Sequence, residues 1–105
     1  MHGYQLTFFT EQNRKHGHVP MGEWLIQQAK KMGLGGATLS TASEGFGHAH
    51  KLHAARFFEL ADQPLEVTMA VTQAEAERVF ELLRTEKIKL FYVKTPIEFG
   101  TTDEL

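Results

Sequence analysis

Apolar and polar positions alternate with two periods along this chain, and the switches between them predict its elements. Tyr4, Leu6 and Phe8 fall on one face of an extended segment, with Gln5, Thr7 and Phe9 on the other, which predicts a strand over Tyr4–Phe9. Thr10–Val19 is polar and holds His16, Gly17 and His18, so it reads as a loop, and Pro20 suits the first turn of a helix. Met21, Leu25, Ala29 and Met32, flanked by Trp24 and Gln28, form one helical stripe. Lys30 and Lys31 suit the negative end of that helix, and Gly33 suits its C-terminal cap.

Leu34-Gly35-Gly36 turns the chain into a second strand, Ala37–Ala42, whose small and β-branched residues suit close packing. Leu65, Val67, Met69 and Val71 then alternate with Glu66, Thr68, Ala70 and Thr72, with Pro64 at the start, where no ladder donor is needed. Thr72-Gln73-Ala74-Glu75 has the spacing of a capping box, in which hydroxyl and carboxylate each satisfy a free backbone N–H at the start of a helix. The stripe Ala76, Val79, Phe80 and Leu83 continues that helix to about Thr85. Ile88–Val93 follows as a last strand, with Ile88, Leu90 and Tyr92 on one face and Phe91 and Val93 on the other, a pattern that suits cover on both sides. In the tail Thr95–Leu105, Ile97 and Phe99 alternate with Glu98 and Gly100. That suits a short strand laid on a neighbouring subunit, with Thr101–Leu105 frayed.

The order is β-α-β-β-α-β, the α+β ferredoxin-like sandwich, in which right-handed crossovers put both helices on one face of a four-stranded antiparallel sheet. The other face would carry Phe9, Ala70, Phe91 and Val93. An apolar patch of that kind is rarely left in water, so burial against further copies of the chain, as a symmetric homo-oligomer, is expected.

Composition narrows the function classes. At 105 residues the chain has the length of one domain, 1–105. Its 42% hydrophobic and 23% charged residues are ordinary for a globular protein, and no run approaches the roughly eighteen apolar residues of a membrane span. A net charge of −2 gives no broad basic field, which argues against a nucleic-acid partner. Without cysteine there is no disulfide framework or thiolate chemistry. The N-terminus lacks the basic and apolar segments of a secretion signal, so a cytoplasmic location is expected.

Between the second and third strands, Ser43–Leu60 reads SEGFGHAHKLHAARFFEL and follows neither period. It concentrates chemical groups on a loop. His48 and His50 in an extended segment point the same way about 7 Å apart, and with His53 they are a candidate site for a divalent metal. The alternative is two solvated histidines and one hydrogen-bonded structural one. Gly45 and Gly47, flanking Phe46, either let a ligand approach the backbone or form a strand-ending turn. Arg14, Lys15, His16 and His18 form a small basic loop. No nucleophile with an evident base and no paired carboxylates stand out, so an enzyme is not expected.

Several stretches together resemble one family. Arg14-Lys15-His16-Gly17 with Pro20, Gly33-Leu34-Gly35-Gly36-Ala37-Thr38, Glu44-Gly45-Phe46-Gly47, Leu52-His53-Ala54-Ala55-Arg56 and Gln63-Pro64-Leu65 occur in the order found in the PII-like domain-of-unknown-function family 190, relatives of the nitrogen-regulatory PII signalling proteins. The resemblance implies a homotrimer whose 43–60 connection acts as a T-loop. It also implies a cleft between subunits that takes a small effector, commonly an adenine nucleotide such as ATP, ADP or AMP. Carried over by position, Glu44, Gly45, Phe46, Gly47, His53 and Arg56 would shape that cleft, with Arg14, Lys15 and His16 nearby. PII proteins have a glycine-rich phosphate loop after the second helix, whereas Leu83-Arg84-Thr85-Glu86-Lys87-Ile88-Lys89 has no glycine. Phosphate would therefore depend on Lys87, Lys89 or loop cations. The implied output is a loop rearrangement that alters contact with a partner protein such as a transporter. His48 and His50 depart from the family pattern, and they support the alternative of a trimeric metal-binding protein similar to the CutA copper-tolerance proteins, with His53 as third ligand.

Overall fold

A computed structural model describes residues 1–41, 44–45, 53–54 and 63–105. In chain order the elements are β1 (His2–Glu11), β2 (Lys15–His16), β3 (Val19–Pro20), α1 (Met21–Lys31), β4 (Ala37–Thr41), β5 (Glu44–Gly45), β6 (His53–Ala54), β7 (Pro64–Val71), α2 (Gln73–Thr85) and β8 (Phe91–Glu98), with a 3-10 turn at Thr102–Glu104. The main sheet has four strands in the order β4-β7-β1-β8, every neighbouring pair antiparallel. This is the ferredoxin-like order, and the α+β class expected from the sequence is the one observed.

Register fixes the faces. Leu6 pairs with Met69, Phe8 with Val67 and Tyr4 with Val71, so the even residues of β1 and the odd residues of β7 share a side. Leu6, Phe8, Val67 and Val71 have no exposure, and Trp24, Leu25 and Ala29 of α1 and Ala76, Val79 and Leu83 of α2 close over them. The two helices thus cover one side. No helix among the described residues is long and apolar enough to cross a membrane.

The ends of both helices follow local chemistry. The Thr72 hydroxyl accepts from the Glu75 N–H at 3.1 Å, and the Glu75 carboxylate accepts from the Thr72 N–H at 2.8 Å, completing the capping box read in the sequence. At the end of α1 the Leu34 N–H reaches back to the Ala29 carbonyl, and Gly33, at φ +73°, makes the left-handed turn this needs. α2 ends the same way, with the Ile88 N–H on the Leu83 carbonyl, but here Lys87 takes the left-handed conformation at φ +56°. A side chain in that region costs about 1–2 kcal/mol.

This second motif explains the main departure from the predicted elements. The last strand is Phe91–Glu98, not Ile88–Val93. Ile88 and Leu90 are half-buried against the core as the chain leaves α2, so their alternation reflects helix-end packing rather than a strand. β8 then runs through Thr95, Pro96 and Ile97, which pair with Gln5, Tyr4 and Gly3 of the same chain. Proline fits because β8 is an edge strand. Among the described residues nothing supplies the predicted cover on its second face: Phe91 and Val93 are 53% and 43% exposed. The other edge, β4, is also largely exposed, and Ala42, predicted as its last residue, lies outside the described residues. The predicted loop 10–19 contains the end of β1 and the hairpin of β2 with β3. Pro20 sits just before α1 as its N-terminal cap residue. The tail forms a 3-10 turn, with the Thr101 hydroxyl on the Glu104 carboxylate at 2.8 Å, where fraying was predicted.

Gly3 is a tight point in the fold. A Cβ added there would meet the Val71 carbonyl oxygen and lie 2.7 Å from Phe99 Cε1. Backbone cannot yield as a flexible side chain can, so Gly3→Ala is expected to lower stability by about 2 kcal/mol in urea unfolding. An unchanged midpoint would contradict this packing.

Candidate functional site

The strand directions gather the sequence's candidate segments at one end of the sheet. Glu11 at the end of β1 pairs with Pro64 at the start of β7, and Thr41 at the end of β4 pairs with Leu65. Phe9 pairs with Phe91, the first residue of β8. The basic segment 14–16 leaves from β1, the 42–63 connection runs from β4 to β7, and the 86–90 segment enters β8. All of them therefore open at this end.

Arg14 is pinned by its backbone: its N–H donates to the Glu11 carbonyl at 3.1 Å, and its carbonyl accepts from the Met21 N–H at 2.7 Å. That holds the loop between the end of β1 and the start of α1. The guanidinium is half-buried, and its Nη1 has no hydrogen-bond partner among the described residues. Desolvation lowers the Arg14 pKa, and the negative charge of Glu11 partly opposes this. Arg14 remains a cation at neutral pH.

His16 links the two basic segments. Its Nε2 lies 3.0 Å from Glu86 Oε1 across 70 residues of sequence, and its ring centroid sits 4.7 Å from that of Trp24. With a proton on Nε2 the imidazole donates to the carboxylate. Trp24 is buried in the core at 8% exposure, and it gives His16 a rigid wall. Glu86 precedes Lys87, so this contact ties the 14–16 segment to the turn bearing the phosphate candidates. Lys15, Lys87 and Lys89 are exposed.

In the 43–60 segment, Glu44 pairs with Ala54 and Gly45 with His53 as a short antiparallel ladder, so the chain doubles back on itself there. Phe46, Gly47, His48, His50 and Arg56 lie outside the described residues, as do the side chains of Glu44 and His53. Among the described residues, no group of three or more His, Cys, Asp or Glu side chains could hold a metal ion.

A different feature was missed in the sequence. At the opposite end of the sheet a cavity of about 570 Å³ opens on the uncovered face, bordered by Gly35, Gly36, Thr38, Thr68, Phe99 and Glu104. Gly35, Gly36, Ala37 and Thr38 of the family-resembling stretch line it, but none of the candidate ligand or metal residues does. Its signal was the polar residues Gln5, Thr68 and Thr38 on the uncovered side of three strands, a face read in the sequence only for its apolar residues.

Comparison with known proteins places this geometry. The chain superimposes on CPII, a nitrogen regulatory PII-like protein from Thiomonas intermedia K12 whose structure is described as bound to ADP, AMP and bicarbonate. The TM-score is 0.70 at 16% identity, covering 99% of this chain and 93% of that one. A protein from Thermus thermophilus, provisionally described as a PII-like signaling protein, matches with a TM-score of 0.63 at 18% identity, over 91% of this chain and 85% of that one. The fold is that of PII-like proteins. The family model DUF190, described as uncharacterized ACR, matches residues 3–94, and the chain belongs to that family. No curated protein matches it.

The His16–Glu86 contact is partly screened by solvent, so a double-mutant cycle with His16→Ala and Glu86→Ala should give a coupling of about 0.5 kcal/mol. A coupling of zero would mean that the two segments are held together by other contacts.

Proposed function

We propose that this chain is a non-catalytic, PII-like regulatory subunit. It binds a small anionic effector, an adenine nucleotide in the first instance, and passes that occupancy to a partner protein through the 43–60 connection. The observation that carries this reading is the convergence of the 14–16, 42–63 and 86–90 segments on one end of a PII-like sheet, with His16 joining the first to the last. Arg14, Lys15, Lys87 and Lys89 are the phosphate partners in this reading, and Glu44, Gly45, Phe46, Gly47, His53 and Arg56 shape the cleft from the connection. The structural neighbour described with ADP, AMP and bicarbonate supports the effector class. The subunits form a cytoplasmic homotrimer through the uncovered sheet face, and each cleft lies between two of them.

The mechanism is a population shift. An effector favours one arrangement of the connection only if it makes better contacts in that arrangement. Lys87 and Lys89, at the same end of the sheet as the connection, supply such contacts when a phosphate reaches them. The changed connection then gains or loses its fit to the partner, for which a transporter is the proposed case.

Calorimetry of the purified chain against ATP, ADP and AMP, with chelator present and with or without bicarbonate, tests this. Saturable heat is expected with at least one nucleotide. In Lys87→Ala/Lys89→Ala the affinity should fall about tenfold, equivalent to about 1.4 kcal/mol. Silence towards all three nucleotides would overturn the proposal, and heat only from Zn²⁺ or Cu²⁺ without chelator, lost in a His48, His50 and His53 alanine variant, would replace it with metal binding.

A further inference from the structure

The contact between His16 and Glu86 is built so that one proton decides its strength. His16 belongs to a very small hairpin: β2 and β3 pair Lys15 with Pro20 and His16 with Val19, and Gly17, at φ +65°, helps make the turn between them. A ladder that short holds little on its own. At its base the Arg14 carbonyl accepts from the Met21 N–H, and Val19 packs against the core. Next to its turn the fastening comes from side chains. The His16 ring centroid lies 4.7 Å from that of Trp24, with the planes 58° apart, and its Nε2 lies 3.0 Å from Glu86 Oε1.

Glu86 is the residue at which α2 ends, and Lys87 after it takes the left-handed conformation that turns the chain towards β8. The pair therefore ties the hairpin to a turn that a side chain makes at a cost. Across 70 residues of sequence, it joins the two segments that carry Arg14, Lys15 and Lys87.

Both neighbours of the ring favour its cation. A carboxylate binds an imidazolium as an ion pair but a neutral imidazole only through an ordinary hydrogen bond, and the face of an indole attracts a cation within about 6 Å. Imidazole is also the side chain whose charge changes near neutral pH. The other charged or titratable groups around it are Lys15 and His18 in the hairpin, Arg14 with Glu11 at the end of β1, Glu23 in the first turn of α1, and Lys87 and the Glu81–Arg84 pair in and after α2. Among the described residues, Glu86 is the charged group paired with the ring. The fastening is therefore firm on the acid side of the imidazole range and slackens as pH rises through it.

We propose that His16 is a proton-operated latch: with its ring protonated it holds the hairpin against the end of α2, and with its ring neutral it lets the hairpin go. The latch stands on this geometry alone. Its consequence rests on the effector-binding end proposed above: protonation neutralises the Glu86 carboxylate beside Lys87 and fixes Arg14 and Lys15 near the 86–90 turn, so an anion binds there more tightly as pH falls. His16, Trp24 and Glu86 belong to the hairpin and the two helices, so subunits meeting through the uncovered sheet face leave the latch free to open.

Nitrogen-15 NMR of the full chain between about pH 5.5 and 8 reads the latch without a ligand. The amides of Gly17 and Lys87, on the two sides of the contact, should shift through one common transition, and the fluorescence of Trp24, the sole tryptophan, should change with them. In His16→Gln, which keeps a donor for Glu86, this transition should vanish; in His18→Gln it should remain. Calorimetry with ADP reads the consequence: wild-type affinity, taken relative to His16→Gln to cancel the ionisation of ADP itself, should be about threefold higher near pH 6 than near pH 8. A transition that persists in His16→Gln, or one that moves Gly17 and not Lys87, would overturn the latch. The same pH dependence of ADP affinity in both proteins would overturn its link to the effector. Absence of ADP heat at either pH would overturn the effector reading and that link with it, while the NMR transitions still decide the latch.

Discussion

Everything in this molecule depends on a sheet whose two inner strands are, among the described residues, sheltered on one side only. β1 and β7 carry the fully buried residues Leu6, Phe8, Val67 and Val71, and both helices lie against that side. Because neighbouring strands are antiparallel and the order is β4-β7-β1-β8, the connections leaving β1 and β4 and those entering β7 and β8 open at one end. The same arrangement leaves the edges β4 and β8 and the opposite face to solvent or to other chains. One constraint therefore creates both the loop-bearing end and the bare face.

Much of the fold was legible because each element announces itself locally. The alternation over residues 65–71, the stripe of α1 and the Thr72/Glu75 capping box are statements about neighbours a few residues apart, and the structure contains all of them. The reading failed where one local pattern has two physical causes. Ile88 and Leu90 alternate like a strand, yet they serve the end of α2, whose left-handed residue is Lys87 rather than the usual glycine. The strand also runs on through Pro96, whose missing N–H costs nothing on an edge.

The candidate site was legible in kind rather than in arrangement. Arg14, Lys15 and His16 stood out as a basic loop, but nothing linear joins His16 to Glu86, 70 residues away. Only the crossover that returns α2 beside α1 makes that pair. Gly35 and Gly36 read as a turn, and their openness is visible only once φ and surroundings are known. The apolar patch was partly right in composition: Phe9, Phe91 and Val93 share a corner, whereas Ala70 sits among polar side chains opposite Gln5.

The bare corner links fold to function, since a cleft between subunits requires subunits to meet. Phe91 and Val93, at 53% and 43% exposure, are the apolar surface on which copies of the chain would pack. Sedimentation equilibrium at micromolar concentration tests this most directly. The account predicts a particle of three 11.9 kDa chains, and Phe91→Glu should reduce it to single chains that keep their helical circular dichroism. A wild-type protein that sediments as one folded chain would contradict it.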